Sequence, residues 1–178
     1  MGPEHPSGIH DEHPFVTPEV DRDPVRRLRG RLAAPVTVWT AGTVAARAGL
    51  TISSVLIAEG EPARVLGLMS DLTDLWETIQ DTGSFVMHVL DRSQGWLSDR
   101  FAFRVPSPGG PYAGLEITES SFGPVLAAVG TRAYCRVVEA RTVGHAQLVD
   151  AAIEDLELAD LDPLVHFRGR YAGLSTAR

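Results

Sequence analysis

Pro35–Ala41, Leu50–Ala58 and Arg64–Met69 are three short apolar runs in close succession, separated by turn formers such as Gly42 and Glu59-Gly60-Glu61-Pro62. Runs of this length, rich in β-branched residues and bounded by Gly and Pro, read as strands. The middle run is entered through Ala48-Gly49 and carries three hydroxyls. Alternation puts Thr51 and Ser53 on one face and Ile52 and Ser54 on the other. Taken alone, it is a strand with serines on a wet face.

Further elements follow the same rule. Asp23 and Pro24 suit the N-cap and first residue of a helix over Pro24–Leu32. Leu72, Leu75, Trp76 and Ile79 recur at spacings of three and four, which predicts an amphipathic helix. Ser70, Asp71 and Thr73 offer its caps and Gly83 ends it. Ser84–Leu90 is a fourth strand, Ser93–Phe101 a short helix, and Val105–Pro111 a loop. Thr131–Arg141, His145–Leu158 and Leu164–Tyr171 supply more strands. Strands dominate and turns join them, so the chain predicts a mainly β fold, a closed or nearly closed barrel with a few accessory helices.

At 178 residues a single domain is expected, over residues 24–178. Residues 1–23 read as a disordered arm, with four prolines, several charges and few apolar groups. Its His5, His10 and His13 fit no regular element, and no metal site is expected. The chain is 44% apolar and has no run near the roughly 20 apolar residues that span a bilayer, which excludes a membrane span. One cysteine, Cys135, cannot pair internally and favours a reducing cytoplasm. A net charge of −7 argues against a nucleic-acid partner. All 16 basic residues are arginine, so lysine chemistry is excluded and any anion falls to arginines, hydroxyls and amides.

The colinear series Gly49–Val55, Ser70-Asp71-Leu72-Thr73, Gly83–Leu90, Asp99-Arg100-Phe101-Ala102, Gly144-His145 and Pro163–Tyr171 resembles the flavin reductase-like family of FMN-binding split barrels, from about Ala33 to Leu174. The resemblance implies a split β-barrel, a homodimer, FMN as cofactor (FAD possible) and NAD(P)H as co-substrate. It places Thr51, Ile52, Ser53 and Ser54 along the isoalloxazine and Ser70 and Thr73 at its phosphate. Arg100 becomes the candidate phosphate cation, with Phe101 and Ala102 close to the flavin, and Tyr171 walls the nicotinamide side or packs at a dimer seam. His145 is the candidate catalytic residue near the nicotinamide.

Each of these residues also has an ordinary structural role: strand pairing, N-capping, an ion pair for Arg100, core packing for Phe101, barrel closure for Tyr171. Three departures stand out. Val143-Gly144-His145 stands where the family has Gly-Asp-His, so the acid is absent; one proline follows the serine segment instead of two, and His88 replaces an asparagine. No Gly-x-Gly-x-x-Gly loop follows a strand, so a nicotinamide nucleotide would react in one shared cleft with the flavin. The implied activity is hydride transfer from NAD(P)H to flavin, with reduced flavin passing to a monooxygenase partner. The alternatives are a flavin carrier or sensor, favoured by the missing acid, and a split barrel using haem or a deazaflavin.

Overall fold

The computed structural model describes residues 23–174. The arm expected over residues 1–23 therefore lies, apart from Asp23, outside the described residues. In chain order the elements are α1 (Pro24–Gly30), β1 (Ala34–Pro35), β2 (Thr37–Gly42), β3 (Arg47–Ile52), β4 (Val55–Ala58), β5 (Arg64–Met69), α2 (Asp74–Thr82), β6 (Ser84–Val89), α3 (Gly95–Phe101), β7 (Ile117–Ser120), β8 (Gly123–Leu126), β9 (Thr131–Val143), β10 (Ala146–Glu157), β11 (Val165–Phe167) and β12 (Arg170–Ala172).

Seven strands form one antiparallel sheet in the order β3-β2-β6-β9-β10-β5-β4. Its two edge strands are consecutive in the chain, joined only by Ser53 and Ser54. Three peptide units reach at most about 11 Å, so the sheet must curl until its edges meet at that link. At the β4 end of that link the Leu68 amide of β5 donates to the Ser54 carbonyl at 3.0 Å. The single strand expected over Leu50–Ala58 is thus two strands on opposite edges of one sheet. Period-two patterning runs straight through the break, because it reports faces and not partners.

Inside the curl lie Trp39, Ile52, Val65, Met69, Leu75, Ile79, Phe85 and Val149. The Trp39 and Phe85 rings stack, with centroids 4.1 Å apart and planes at 8°. Gly67 lies beneath that indole: a Cβ there would stand 2.4 Å from the ring. A second cluster (Val36, Val38, Leu90, Leu97, Phe101, Tyr112, Leu126 and Leu164) fills the space under α3. His88 bridges toward it. Its Nδ1 faces the Val38 carbonyl at 3.1 Å and its Nε2 accepts the Leu126 amide at 3.1 Å, which fixes a neutral ring with the proton on Nδ1. Burial pushes its pKa down to about 3.

The caps follow the sequence. The Asp23 carboxylate accepts the amides of Val25 and Arg26, Thr73 caps α2, and Gly83 ends α2 at φ 67°. Leu72 departs from its expected place on the α2 face: it precedes the cap and is 90% exposed. The run Leu164–Tyr171, expected as one strand, is the β11–β12 hairpin, turned at Arg168 (φ 51°) and Gly169 (φ 81°). The β7–β8 hairpin was not anticipated; its strands are four residues each and too short for a period to declare itself.

Candidate functional site

The seam between β3 and β4 has a chemical consequence. Ser53 and Ser54 belong to no ladder, and both are half-buried. Among the described residues, neither their amides nor their hydroxyls have a hydrogen-bond partner. Donors left free at a half-buried position stand open to a ligand. The flanking residues are committed elsewhere. Ile52 is buried in the barrel core, and its carbonyl accepts the Thr37 hydroxyl at 2.6 Å. The Thr51 hydroxyl donates to the Ser98 carbonyl of α3 at 2.7 Å.

Ser70 and Thr73 stand close to this seam along the chain, since Leu68, two residues before Ser70, is bonded to Ser54. Ser70 Oγ accepts the Leu72 amide at 3.2 Å. Thr73 Oγ1 donates to the Ser70 carbonyl at 2.9 Å and accepts the Trp76 amide at 3.3 Å. Both hydroxyls therefore shape the turn, while the amides of Thr73, Asp74 and Leu75 have no acceptor among the described residues. Such amides and the α2 dipole favour an anion. His145 occupies the exposed turn between β9 and β10. Gln147 pairs with Met69, so this turn lies at the same end of the sheet as Ser70.

The remaining expected residues gather around α3. Arg100 donates to the Ala113 carbonyl at 3.0 Å, with its guanidinium 5.8 Å from the Trp96 ring centroid. Phe101 is fully buried edge-on to Tyr112 at 4.9 Å. The Ala102 amide donates to the Ser98 carbonyl at 2.8 Å. Tyr171 donates to Asp99 Oδ1 at 2.6 Å and lies 2.9 Å from Ser98 Oγ. Burial, and next the bond to Asp99, raises its pKa. Ser98 thus links Thr51, at the mouth of the seam, to the C-terminal hairpin. Cys135 is inert core, with burial pushing its thiol up to about 12.

Sequence reasoning overlooked a cleft of about 320 Å³ lined by Arg47–Leu50 of β3, Leu72–Leu75, Phe103, Pro111 and Tyr112. Arg47 lies 4.6 Å over the Tyr112 ring and has no carboxylate within ion-pair range among the described residues. Gly49 is there for space: a Cβ would stand 2.6 Å from Phe101 and 2.7 Å from the Tyr112 hydroxyl. The usable signals were an arginine two residues ahead of that glycine and a Gly-Gly-Pro-Tyr loop end, neither of which announces its partner. Thr73 is shared by this cleft and the anion-favouring turn, which brings the open α2 amides and Arg47 into one cleft.

Residues 29–175 match the family model described as "Flavin reductase like domain". Among curated relatives, the chain is 31% identical to the NADH-dependent FMN reductase AsuE2 of Streptomyces nodosus subsp. asukaensis, covering 88% of this chain and 86% of that protein. It is 27% identical to the reductase component of a 4-nitrophenol 4-monooxygenase/4-nitrocatechol 2-monooxygenase of Rhodococcus opacus, covering 88% and 83%. Among solved structures it resembles the flavin reductase PheA2 with a TM-score of 0.78 and 26% identity, over 85% of this chain and 97% of that one.

Proposed function

The chain belongs to the flavin reductase-like family, and from that membership we propose that it is an NADH-using FMN reductase that passes reduced flavin to a monooxygenase. The observation that carries this reading is the pair of half-buried amides and hydroxyls at Ser53–Ser54, unpartnered among the described residues, together with the open α2 amides that share a cleft with Arg47.

These groups suit a flavin chemically. A flavin ring needs donors toward its N1-C2 and N5-C4 edges, and the seam offers amides and hydroxyls. Its phosphate needs amides and a cation, and Thr73–Leu75 and Arg47 offer both.

A flavin held there would supply the chemistry, acceptance of hydride from a nicotinamide. The chain's own contribution is alignment and partial exclusion of water. Ser53 and Ser54 orient the ring and favour negative charge near N1. Thr51 holds the seam against α3 through Ser98. Arg47 serves the phosphate, while the Arg100 guanidinium is already engaged with the Ala113 carbonyl. We assign His145, in the exposed turn at the same sheet end as Ser70, to the nicotinamide side, and no side chain acts as a strong acid or base. NADH, the donor named for the Streptomyces relative, is the donor we assign.

The working unit in this reading is a homodimer. Edge strand β4 carries Leu56 and Ile57 at 72% and 53% exposure, immediately after the seam. A second copy laid on that edge would cover them and wall the Ser53–Ser54 seam. A cytoplasmic location belongs to the same reading; among the described residues no helix is long and apolar enough to cross a membrane.

The test is an anaerobic titration of protein plus FMN with NADH, followed at the visible flavin band. Bleaching far faster than with free FMN is expected. FMN binding without bleaching, with NADH and NADPH alike, would leave a carrier and end the reductase reading.

A further inference from the structure

The 16 arginines are unevenly spread. Residues 23–32 and 165–172 hold six of them, Arg26, Arg27, Arg29, Arg31, Arg168 and Arg170, against one acid, Asp23. The fold brings the two stretches together. The Arg168 amide donates to the Gly30 carbonyl at 2.9 Å, and Ala34, just beyond α1, pairs with His166 of β11. Among the described residues none of the six makes an ion pair. The Asp23 carboxylate is turned to the Val25 and Arg26 amides instead. This face therefore carries +5 in a chain of net charge −7, and the remainder carries −12.

Apolar side chains stand between these arginines. Val25, Leu28 and Leu32 are spaced by three and four, so they share one side of α1 and the turn that follows it. They are 71%, 63% and 63% exposed, where an apolar stripe at helical spacing ordinarily faces a core. Phe167, beside the tip of the β11–β12 hairpin, is also exposed, with the Arg168 guanidinium 5.3 Å from its ring centroid.

A basic helix that turns aliphatic side chains outward has the composition of a surface that lies on a membrane. Aliphatic groups enter the headgroup boundary, and arginine stems follow them while the guanidinium groups stay on lipid phosphates. The segregated charge orients the molecule, with the +5 face toward an anionic surface and the −12 remainder away from it. Attraction acts over a Debye length of about 10 Å, so the nearby face outweighs the total charge. A second copy fits less well, because a twofold contact centred here sets arginine against arginine. We propose that α1 and the β11–β12 hairpin form a docking surface for an anionic lipid membrane, on which the protein lies without spanning it. The proposal does not depend on the flavin reading.

The test is co-sedimentation of the full chain with vesicles of phosphatidylglycerol and phosphatidylcholine in equal parts, against vesicles of phosphatidylcholine alone. Saturable binding to the anionic vesicles is expected, with little to the neutral ones, and it falls as salt rises from about 50 mM to about 500 mM. Arg29→Gln and Arg170→Gln each weaken it about fivefold, and Leu28→Gln about tenfold. All three side chains are exposed, so the variants keep their fold, and their melting curves check this.

No binding to the anionic vesicles, or binding unchanged in all three variants, overturns the proposal. So does equal binding to the neutral vesicles. Soluble poly-L-glutamate is the probe for an acidic protein. If it binds as tightly as the anionic vesicles and Leu28→Gln changes neither, the face docks a protein and the membrane reading falls. If Leu28→Gln turns a dimer into a monomer in gel filtration, a second copy covers the face and the membrane reading falls as well.

Discussion

The Leu126 amide donates to His88 Nε2 at 3.1 Å, tying strand β8 to a fully buried imidazole on β6. The bond requires the neutral ring. Burial holds the folded pKa near 3, against 6.5 in the unfolded chain. Below pH 6.5 the unfolded state binds a proton that the folded state refuses. Stability is therefore full above pH 6.5 and falls as the pH drops toward 3, by up to about 1.4 kcal/mol per pH unit. Urea melts between pH 8 and pH 4 check the slope, and His88→Asn should flatten it.

Gly67→Ala should destabilise the barrel by about 1–3 kcal/mol, because its Cβ meets the Trp39 ring at 2.4 Å and both neighbours are fixed in the core. Equilibrium urea unfolding reads this as a lowered midpoint with an unchanged slope.

Ser53→Ala should weaken FMN binding only a few-fold, since the amide remains. Ser53→Pro removes that amide, which no described residue engages, and should weaken FMN far more. Flavin fluorescence quenching gives both constants. Equal losses would mean that the hydroxyl carries the contact.

Thr51→Val leaves the Ser98 carbonyl with only the Ala102 amide, and should cost about 1–2 kcal/mol of stability. Tyr171→Phe frees Ser98 from its other side. Because both changes act through one residue, their effects on stability should not add, with a coupling of about 0.5 kcal/mol or more in a double-mutant cycle.

Local chemistry was legible in the sequence. Asp23, Thr73 and Gly83 act at helix ends as their residue types demand. The apolar face of α2 was legible from Leu75 onward, though Leu72 lay one cap too early to join it. Long-range pairing was not legible. Nothing in Ile52-Ser53-Ser54-Val55 says that the chain changes partner there, because the change depends on strands β2 and β5 on either side. The cleft escaped for the same reason: Arg47, Leu72, Phe103 and Tyr112 are far apart in the chain and meet only through the curl of the sheet. The hairpin at Arg168-Gly169 was half visible, since its glycine announced a turn but its arginine at φ 51° did not.

The seam at Ser53–Ser54 also bears on how such a site survives mutation. Its donors are main-chain amides, left over because a curled sheet runs out of partners where its edges meet. Any residue but proline supplies them. Side chains there can drift while the binding capacity is inherited with the topology, so two chains of this architecture can share a ligand while sharing little of the sequence that touches it.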